Sequence, residues 1–93
     1  IENLIPNEIT LYQNYPNPFN PTTNIDFSLP ETEYINISLF NLSGQKVMDI
    51  VEGNFTAGKH TITINATNLS SGTYVYQLKT SKGITTKKMT LIK

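Results

Sequence analysis

The chain has 93 residues, which is the size of one domain and too short for two independent hydrophobic cores. Seven lysines balance seven acidic residues and arginine is absent, so no basic surface exists to neutralise nucleic-acid phosphates. The absence of cysteine excludes a disulfide framework, a thiolate metal site and a cysteine nucleophile.

Apolar and polar residues alternate with a period of two along most of the chain, and turn signals recur at close spacing. This pattern predicts an antiparallel all-β protein. Residues 1–8 contain a proline and show no alternation, so we interpret them as a linker and predict a domain over 9–93. A short first strand is predicted over 10–15. No apolar run approaches the roughly 18 residues of a membrane helix, so direct membrane insertion is not expected.

The segment that follows the first predicted strand, residues 16–21, reads Pro-Asn-Pro-Phe-Asn-Pro. Its three prolines remove three backbone donors and fix φ at each position, which excludes a helix or a central strand. Residues that precede a proline are pushed towards extended geometry. The segment is therefore predicted to form a rigid, shaped loop.

Six further strands are predicted from alternating apolar residues separated by turn residues. They cover 24–29, 34–42, 45–51, 59–65, 73–80 and 84–92. Seven short strands favour a seven-stranded antiparallel immunoglobulin-like β-sandwich. Strand 34–42 is expected to be central, whereas the facing of 45–51 does not follow from its alternation. The predicted core consists of Ile25, Phe27, Ile35, Ile37, Leu39, Ile62, Ile64 and Leu78, with Met89 and Leu91 also facing inwards.

Residues with catalytic chemistry are scarce in this chain. His60 is the single histidine, and Asp26 and Asp49 are the only aspartates, so a triad or carboxylate pair would have to converge from separate strands. His60 lies in a Gly-Lys-His-Thr segment, where an exposed polar strand residue is expected. We therefore expect no enzymatic activity and no catalytic residues.

Metal and cofactor sites are also poorly supported. One histidine without cysteine cannot supply the four nitrogen and sulfur ligands of a usual zinc site. Calcium takes oxygen ligands, but its sites normally contain more carboxylates, and asparagines commonly shape loops. We therefore expect neither a metal nor a cofactor. The candidate calcium ligands are Asn14, Asn17, Asn20 and Asp26.

Aromatic side chains leave a sugar-binding module open, because exposed rings on one face can form a stacking platform. Tyr74 and Tyr76 share a strand face with Leu78, however, so packing in the core or at its edge is favoured for them. The candidate platform residues are Tyr12, Tyr15, Phe19, Tyr34, Tyr74 and Tyr76.

Several sequence blocks are spread in order along the chain. The first is Leu-Tyr-Gln-Asn-Tyr-Pro-Asn-Pro-Phe-Asn-Pro-Thr-Thr at 11–23, and the last is Lys-Met-x-Leu-x-Lys at 88–93. Between them lie Ile-Ser-Leu-Phe-Asn-Leu-Ser-Gly-Gln-Lys-Val at 37–47 and Ser-Gly-Thr-Tyr-Val-Tyr-Gln-Leu at 71–78. In this order the blocks resemble the type A C-terminal sorting domains of the bacterial type IX secretion system.

The resemblance implies a non-catalytic signal that directs a fused cargo protein through the type IX outer-membrane translocon. The cargo would reach the periplasm by a separate signal and end as a cell-surface or secreted protein. The implied partners are the translocon, shuttle and sortase proteins and the upstream cargo domain, without nucleic acid. Cleavage would fall within or before residues 1–8.

The resemblance also assigns a recognition surface, formed by the positions that match the family pattern best. A terminal or edge strand could in addition offer unpaired backbone groups for strand addition, with lysines supplying orientation. The candidate recognition residues are Pro16, Asn17, Pro18, Phe19, Asn20, Pro21, Gly72, Tyr74, Lys87, Lys88, Met89 and Lys93.

Two other functions stay open from the sequence. The block at 41–47 is also similar to the immunoglobulin-like domain of flagellar hook-capping proteins, which would make this a structural assembly module. The third possibility is an accessory carbohydrate-binding module of a secreted multidomain enzyme.

Overall fold

The computed structural model describes residues 8–93, which form a sandwich of two antiparallel β-sheets. The strands are β1 (Thr10–Leu11), β2 (Thr22–Leu29), β3 (Glu33–Phe40), β4 (Lys46–Phe55), β5 (Gly58–Asn65), β6 (Gly72–Thr80) and β7 (Gly83–Leu91). One sheet has the order β1-β2-β5 and the other β4-β3-β6-β7. The predicted seven-stranded immunoglobulin-like class is confirmed, whereas 1–7 of the predicted linker lie outside the described residues. Within 8–93 no helix is long and apolar enough to cross a membrane.

The core lies between the sheets and is built from side chains that point inwards at every second strand position. Ile62, expected in the core, is only partly buried. Its strand β5 forms an edge of the smaller sheet, so neighbouring strands cover it from one side only. The other predicted core residues are confirmed and at most 3% exposed: Ile25, Phe27, Ile35, Ile37, Leu39, Ile64, Leu78, Met89 and Leu91.

Two register shifts between β3 and β4 explain why the facing of 45–51 did not follow from alternation. The pairing of the two strands skips Ile50 at one shift and Val47 at the other. Each bulge inserts one residue and so reverses the side-chain alternation that follows it. Both residues consequently pack against the core. The central position predicted for β3 is confirmed, since it pairs with β4 and β6.

The strand predicted over 10–15 is much shorter in the structure. Only Thr10–Leu11 forms a ladder with β2, followed by a single bridge between Tyr15 and Asn24. In between, the backbone N–H of Asn14 donates to the hydroxyl of Tyr76 in the other sheet, at 2.8 Å. Because the Asn14 N–H is bonded to Tyr76, it cannot bond to β2 and extend the β1–β2 ladder. β4 extends beyond its prediction to Phe55, and the other strands differ from theirs by one or two residues.

The molecule has two well-separated ends along a long axis of 45 Å. Strands of eight to ten residues are about 26–33 Å long and run between these ends. The proximal end contains Glu8 and the connections 30–32, 56–57 and 81–82. The distal end contains the proline-rich loop 16–21, the turn 41–45, the connection 66–71 and residues 92–93.

Candidate recognition site at the distal end

The proline-rich loop, residues 16–21, crosses the distal end and is attached to both sheets. Before the loop, Tyr15 exchanges two backbone hydrogen bonds of 3.0 Å with Asn24 of β2. Within the loop, Phe19 forms a parallel bridge with Leu91 at the end of β7. The peptide bonds before all three prolines are cis. The contacts of Tyr15 with β2 and of Phe19 with β7 give the loop a defined place in the sandwich.

The loop also covers the outer edge of β7 at its distal end. The Phe19 N–H donates to the Thr90 carbonyl, and the Ile92 N–H donates to the Phe19 carbonyl, both at 3.0 Å. The side-chain oxygen of Asn17 accepts the Thr90 N–H at 2.9 Å. The Thr90 N–H and carbonyl and the Ile92 N–H thus have partners inside the domain.

Strand addition at the terminal residues, which the sequence suggested, is therefore limited by the loop. Even the Lys88 carbonyl accepts a hydrogen bond of 2.7 Å from the side chain of Gln13. N–H and C=O directions alternate along a strand, so Ile84 and Thr86 present theirs on the same edge as Thr90. No other described segment bonds to them there. The open part of this edge is thus 84–86, nearer the proximal end.

A buried polar network fixes the segment that leads into the loop. The Tyr76 hydroxyl accepts the Asn14 N–H at 2.8 Å and donates to the Tyr12 carbonyl at 2.7 Å. The Asn14 side-chain amide donates to the Thr23 hydroxyl at 3.0 Å, and that hydroxyl donates to the Pro16 carbonyl at 2.8 Å. Burial raises the pKa of Tyr76 to about 12. Among the described residues no buried side-chain polar atom lacks a partner.

Removal of the Tyr76 hydroxyl should destabilise the domain measurably. In Tyr76→Phe the Asn14 N–H and the Tyr12 carbonyl lose their buried partner, which is expected to lower the free energy of unfolding by about 2–4 kcal/mol. Urea denaturation measures this change. Tyr74→Phe is the matched control, because its hydroxyl has one partner, the Ser70 carbonyl, at 2.6 Å. An equal loss in both variants would contradict a special role for the network.

Tyr76 should also make the free energy of unfolding depend on pH in the alkaline range. Its pKa of about 12 in the folded state exceeds the ordinary value of 10.0, so the folded state binds the proton more tightly than the unfolded state. Its contribution is therefore complete below pH 10 and decreases as the pH rises towards 12. Urea titrations between about pH 9 and 11 should show a smaller decrease for Tyr76→Phe than for the unmodified domain.

Three of the four candidate calcium ligands have other partners in the structure. The amide of Asn14 is committed to the buried network and the side chain of Asn17 to the Thr90 N–H. Asp26 lies on the outer face of β2, 3.6 Å from the Lys59 ammonium. Within residues 8–93 no group of three or more His, Cys, Asp or Glu side chains is placed to hold a metal ion.

The residues with catalytic chemistry do not face one another, because Asp26 and His60 lie on paired strands but point to opposite faces of the smaller sheet, and Asp49 lies in the other sheet. His60, Asp26 and Asp49 lie on β5, β2 and β4, respectively. His60 is half-buried, contrary to the expected exposure. Its ring packs against Phe27 and Phe55, with centroids 5.3 and 5.1 Å apart, because it occupies an inward position of an edge strand.

The six candidate platform aromatics divide among three places. Phe19, Tyr74 and Tyr76 are buried in the core. Tyr12 and Tyr15 lie on the smaller sheet, where the Lys59 ammonium is 5.1 Å from the Tyr12 ring centroid and Tyr15 is bridged to Asn24 of β2. Tyr34 is 56% exposed on β3 of the larger sheet. They therefore do not form one stacking surface.

Three of the candidate recognition residues have buried side chains. Phe19 is 2% exposed, Tyr74 8% and Met89 0%. In the folded domain these side chains pack in the core and are not presented to a partner. Pro21 is half-buried where the loop enters β2. The exposed candidates at the distal end are Pro16, Asn17, Pro18, Asn20, Gly72 and Lys93.

The three candidate lysines occupy different environments. The Lys93 ammonium donates to the Thr67 carbonyl at 2.6 Å, which holds this residue against the connection 66–71. Lys87 and Lys88 lie in the middle of β7, opposite Tyr76 and Val75. They point to opposite faces of the sheet, where Lys87 is half-buried and Lys88 exposed.

Comparison with protein families assigns residues 13–93 to the secretion system C-terminal sorting domain. No curated protein matches the chain. The matched region includes the proline-rich loop, Tyr76 of the buried network and all of β7. Domains of this kind are sorting signals for type IX secretion, which act with the secretion machinery on a fused cargo for export to the cell surface or secretion. This chain therefore belongs to the family of secretion system C-terminal sorting domains.

Proposed function

We propose that the domain is a non-catalytic signal that directs an upstream cargo through the type IX outer-membrane translocon, and that the translocon recognises its distal end. The observation that carries the proposal is the joining of two distant sequence blocks. Residues 11–23 and 88–93 lie at opposite ends of the described chain, yet Phe19 and Asn17 are hydrogen-bonded to Thr90. A partner can therefore read both blocks as one surface.

The construction of the distal end supports recognition by docking of a preformed surface. Pro18 and Asn20 are exposed, while Phe19 between them is buried and fixed to β7. The Tyr76 network holds the start of the same loop. A surface that is already ordered loses less conformational entropy on binding, which favours affinity and specificity.

The remaining steps of the proposed function involve other components. The cargo with its sorting domain passes through the periplasm, and shuttle and sortase proteins act on it after recognition. Cleavage within or before residues 1–8 separates the domain from cargo that is anchored at the cell surface or released. Support for these steps comes from the family membership and from the position of Glu8 at the proximal end, away from the loop.

A reporter fusion tests the proposal. Residues 1–93 are placed after a reporter that carries a periplasmic signal, in strains with and without a working type IX translocon. We expect the reporter at the cell surface or in the medium only when the translocon works. Asn20→Glu at the distal end should reduce export, whereas Asn54→Glu, which is also exposed but lies on β4, should not. Export without the translocon, or equal export of both variants, would contradict the proposal.

Reversal of the β7 lysine charges separates recognition from folding. Lys87→Glu with Lys88→Glu should lower the free energy of unfolding by only about 1 kcal/mol, because Lys88 is exposed and Lys87 is half-buried. Export of the reporter should nevertheless decrease if the translocon reads these charges. Lys82→Glu, exposed at the proximal end, is the control. If export of the double variant is unchanged, neither Lys87 nor Lys88 belongs to the surface that the translocon recognises.

A further inference from the structure

The outer face of the larger sheet carries a groove of about 530 Å³ that is separate from the distal end. Tyr34 and Asn36 of β3 line it, with Asp49 and Glu52 of β4 on one side and Lys79 of β6 on the other. We call it the Tyr34 groove. Its volume falls within the range of small-molecule sites, which is about 300–1,000 Å³.

An exposed aromatic ring is held in a fixed position at this groove. Tyr34 is 56% exposed, and its hydroxyl donates to the Glu52 carboxylate at 2.8 Å. The ring lies on the face of β3 opposite the core side chains of Ile35 and Ile37. Core packing therefore does not account for its position, and its apolar surface is available to a ligand.

Hydrogen-bonding groups next to the ring are also ordered. Ser38 is 1% exposed, and its hydroxyl lies 2.7 Å from the Asn36 side-chain oxygen and 3.1 Å from the Asp49 carboxylate. The Lys46 ammonium lies 3.0 Å from the same carboxylate, and this hydrogen bond lowers the pKa of Asp49. The groove thus offers ionised acceptors beside an aromatic surface.

The chemistry of the lining restricts the class of ligand. Lys46 and Lys79 balance Asp49 and Glu52, which disfavours a strongly charged ligand such as a phosphate. An added peptide strand would pair in the plane of the sheet at the free edge of β4, and not over this face, because β3 is paired on both sides. What remains is recognition by ring stacking and side-chain hydrogen bonds, which suits a neutral ligand rich in hydroxyl groups.

We propose that the Tyr34 groove binds a neutral oligosaccharide, with one sugar ring stacked on Tyr34 and its hydroxyls bonded to Asn36, Asp49 and Glu52. This activity is additional to sorting and uses a different surface of the domain. It places carbohydrate binding on the larger sheet, away from Tyr12 and Tyr15.

Calorimetric titration of the 93-residue chain tests the proposal with cellohexaose, xylohexaose, mannohexaose, laminarihexaose and chitohexaose at millimolar concentrations. We expect saturable binding of at least one of them and a loss of affinity of about tenfold or more in Tyr34→Ala. Tyr15→Ala, 79% exposed, is the matched control and should bind normally.

Amide chemical shifts give a second measurement on the same samples. Bound saccharide should shift the amides of Tyr34, Asn36 and Lys79, and the well-dispersed spectrum of Tyr34→Ala should show that this variant is folded. Absence of saturable binding across the panel would overturn the proposal. So would binding that survives in Tyr34→Ala, or that is lost in Tyr15→Ala.

Discussion

Replacement of Phe19 by alanine is expected to lower the free energy of unfolding by about 3–5 kcal/mol. The ring is 2% exposed and belongs to the core cluster, although it comes from the proline-rich loop. Its loss leaves a cavity where the loop joins the two sheets. Small domains have only about 5–15 kcal/mol of stability in total, so the variant should unfold at a much lower urea concentration.

Tyr15→Ala is the matched control for this experiment. Tyr15 stands four residues earlier, exchanges its backbone hydrogen bonds with β2, and has a side chain that is 79% exposed. Its replacement should change stability by no more than about 0.5 kcal/mol. Equal urea midpoints for Phe19→Ala and Tyr15→Ala would show that the loop is not packed as described.

Deletion of residues 88–93 is expected to unfold the domain and to leave a fused reporter in the periplasm. Met89 and Leu91 are 0% and 1% exposed, and loss of each such side chain costs about 2–5 kcal/mol. The deletion also removes the backbone groups to which Phe19 is bonded. Thermal unfolding followed by circular dichroism should show no cooperative transition, while the reporter itself remains active.

A shorter deletion distinguishes lost folding from lost recognition. Without residues 92–93 the domain keeps Met89, Leu91 and their core contacts, but it loses the Lys93 contacts to Ser71 and Thr67 and the Ile92 N–H bond to the Phe19 carbonyl. It should still unfold cooperatively, and its export then reports on recognition alone. A cooperative transition in the 88–93 deletion, close to that of the intact domain, would contradict the assigned role of β7 in the core.

The strands and most of the core were predictable because both depend on local alternation. Ile35, Ile37 and Leu39 occupy successive inward positions of β3, and a period of two is enough to identify them. The proline-rich loop was predictable for a similar reason, since proline restricts the backbone whatever surrounds it. The family blocks indicated which segments match the sorting-domain family, but not how they meet.

Features that depend on contacts between distant residues were not predictable. The Tyr76 network shortens the first strand through a bond between positions 14 and 76, for which alternation carries no signal. A buried tyrosine hydroxyl does require a hydrogen-bond partner, and the polar residues beside the loop were the only sequence signal for where the partners of Tyr76 lie. The covered edge of β7 likewise depends on Asn17 and Phe19, whose partners are more than seventy positions away.

The placement of the loop and of Glu8 at opposite ends of a 45 Å axis determines how far the attached protein is from the proposed recognition surface. Electrostatic fields in physiological salt decay over about 8 Å, so charges on a passenger joined at the proximal end are screened long before the loop. The length of the strands also keeps the passenger itself away from the loop. One recognition surface can therefore serve passengers of very different shape and charge.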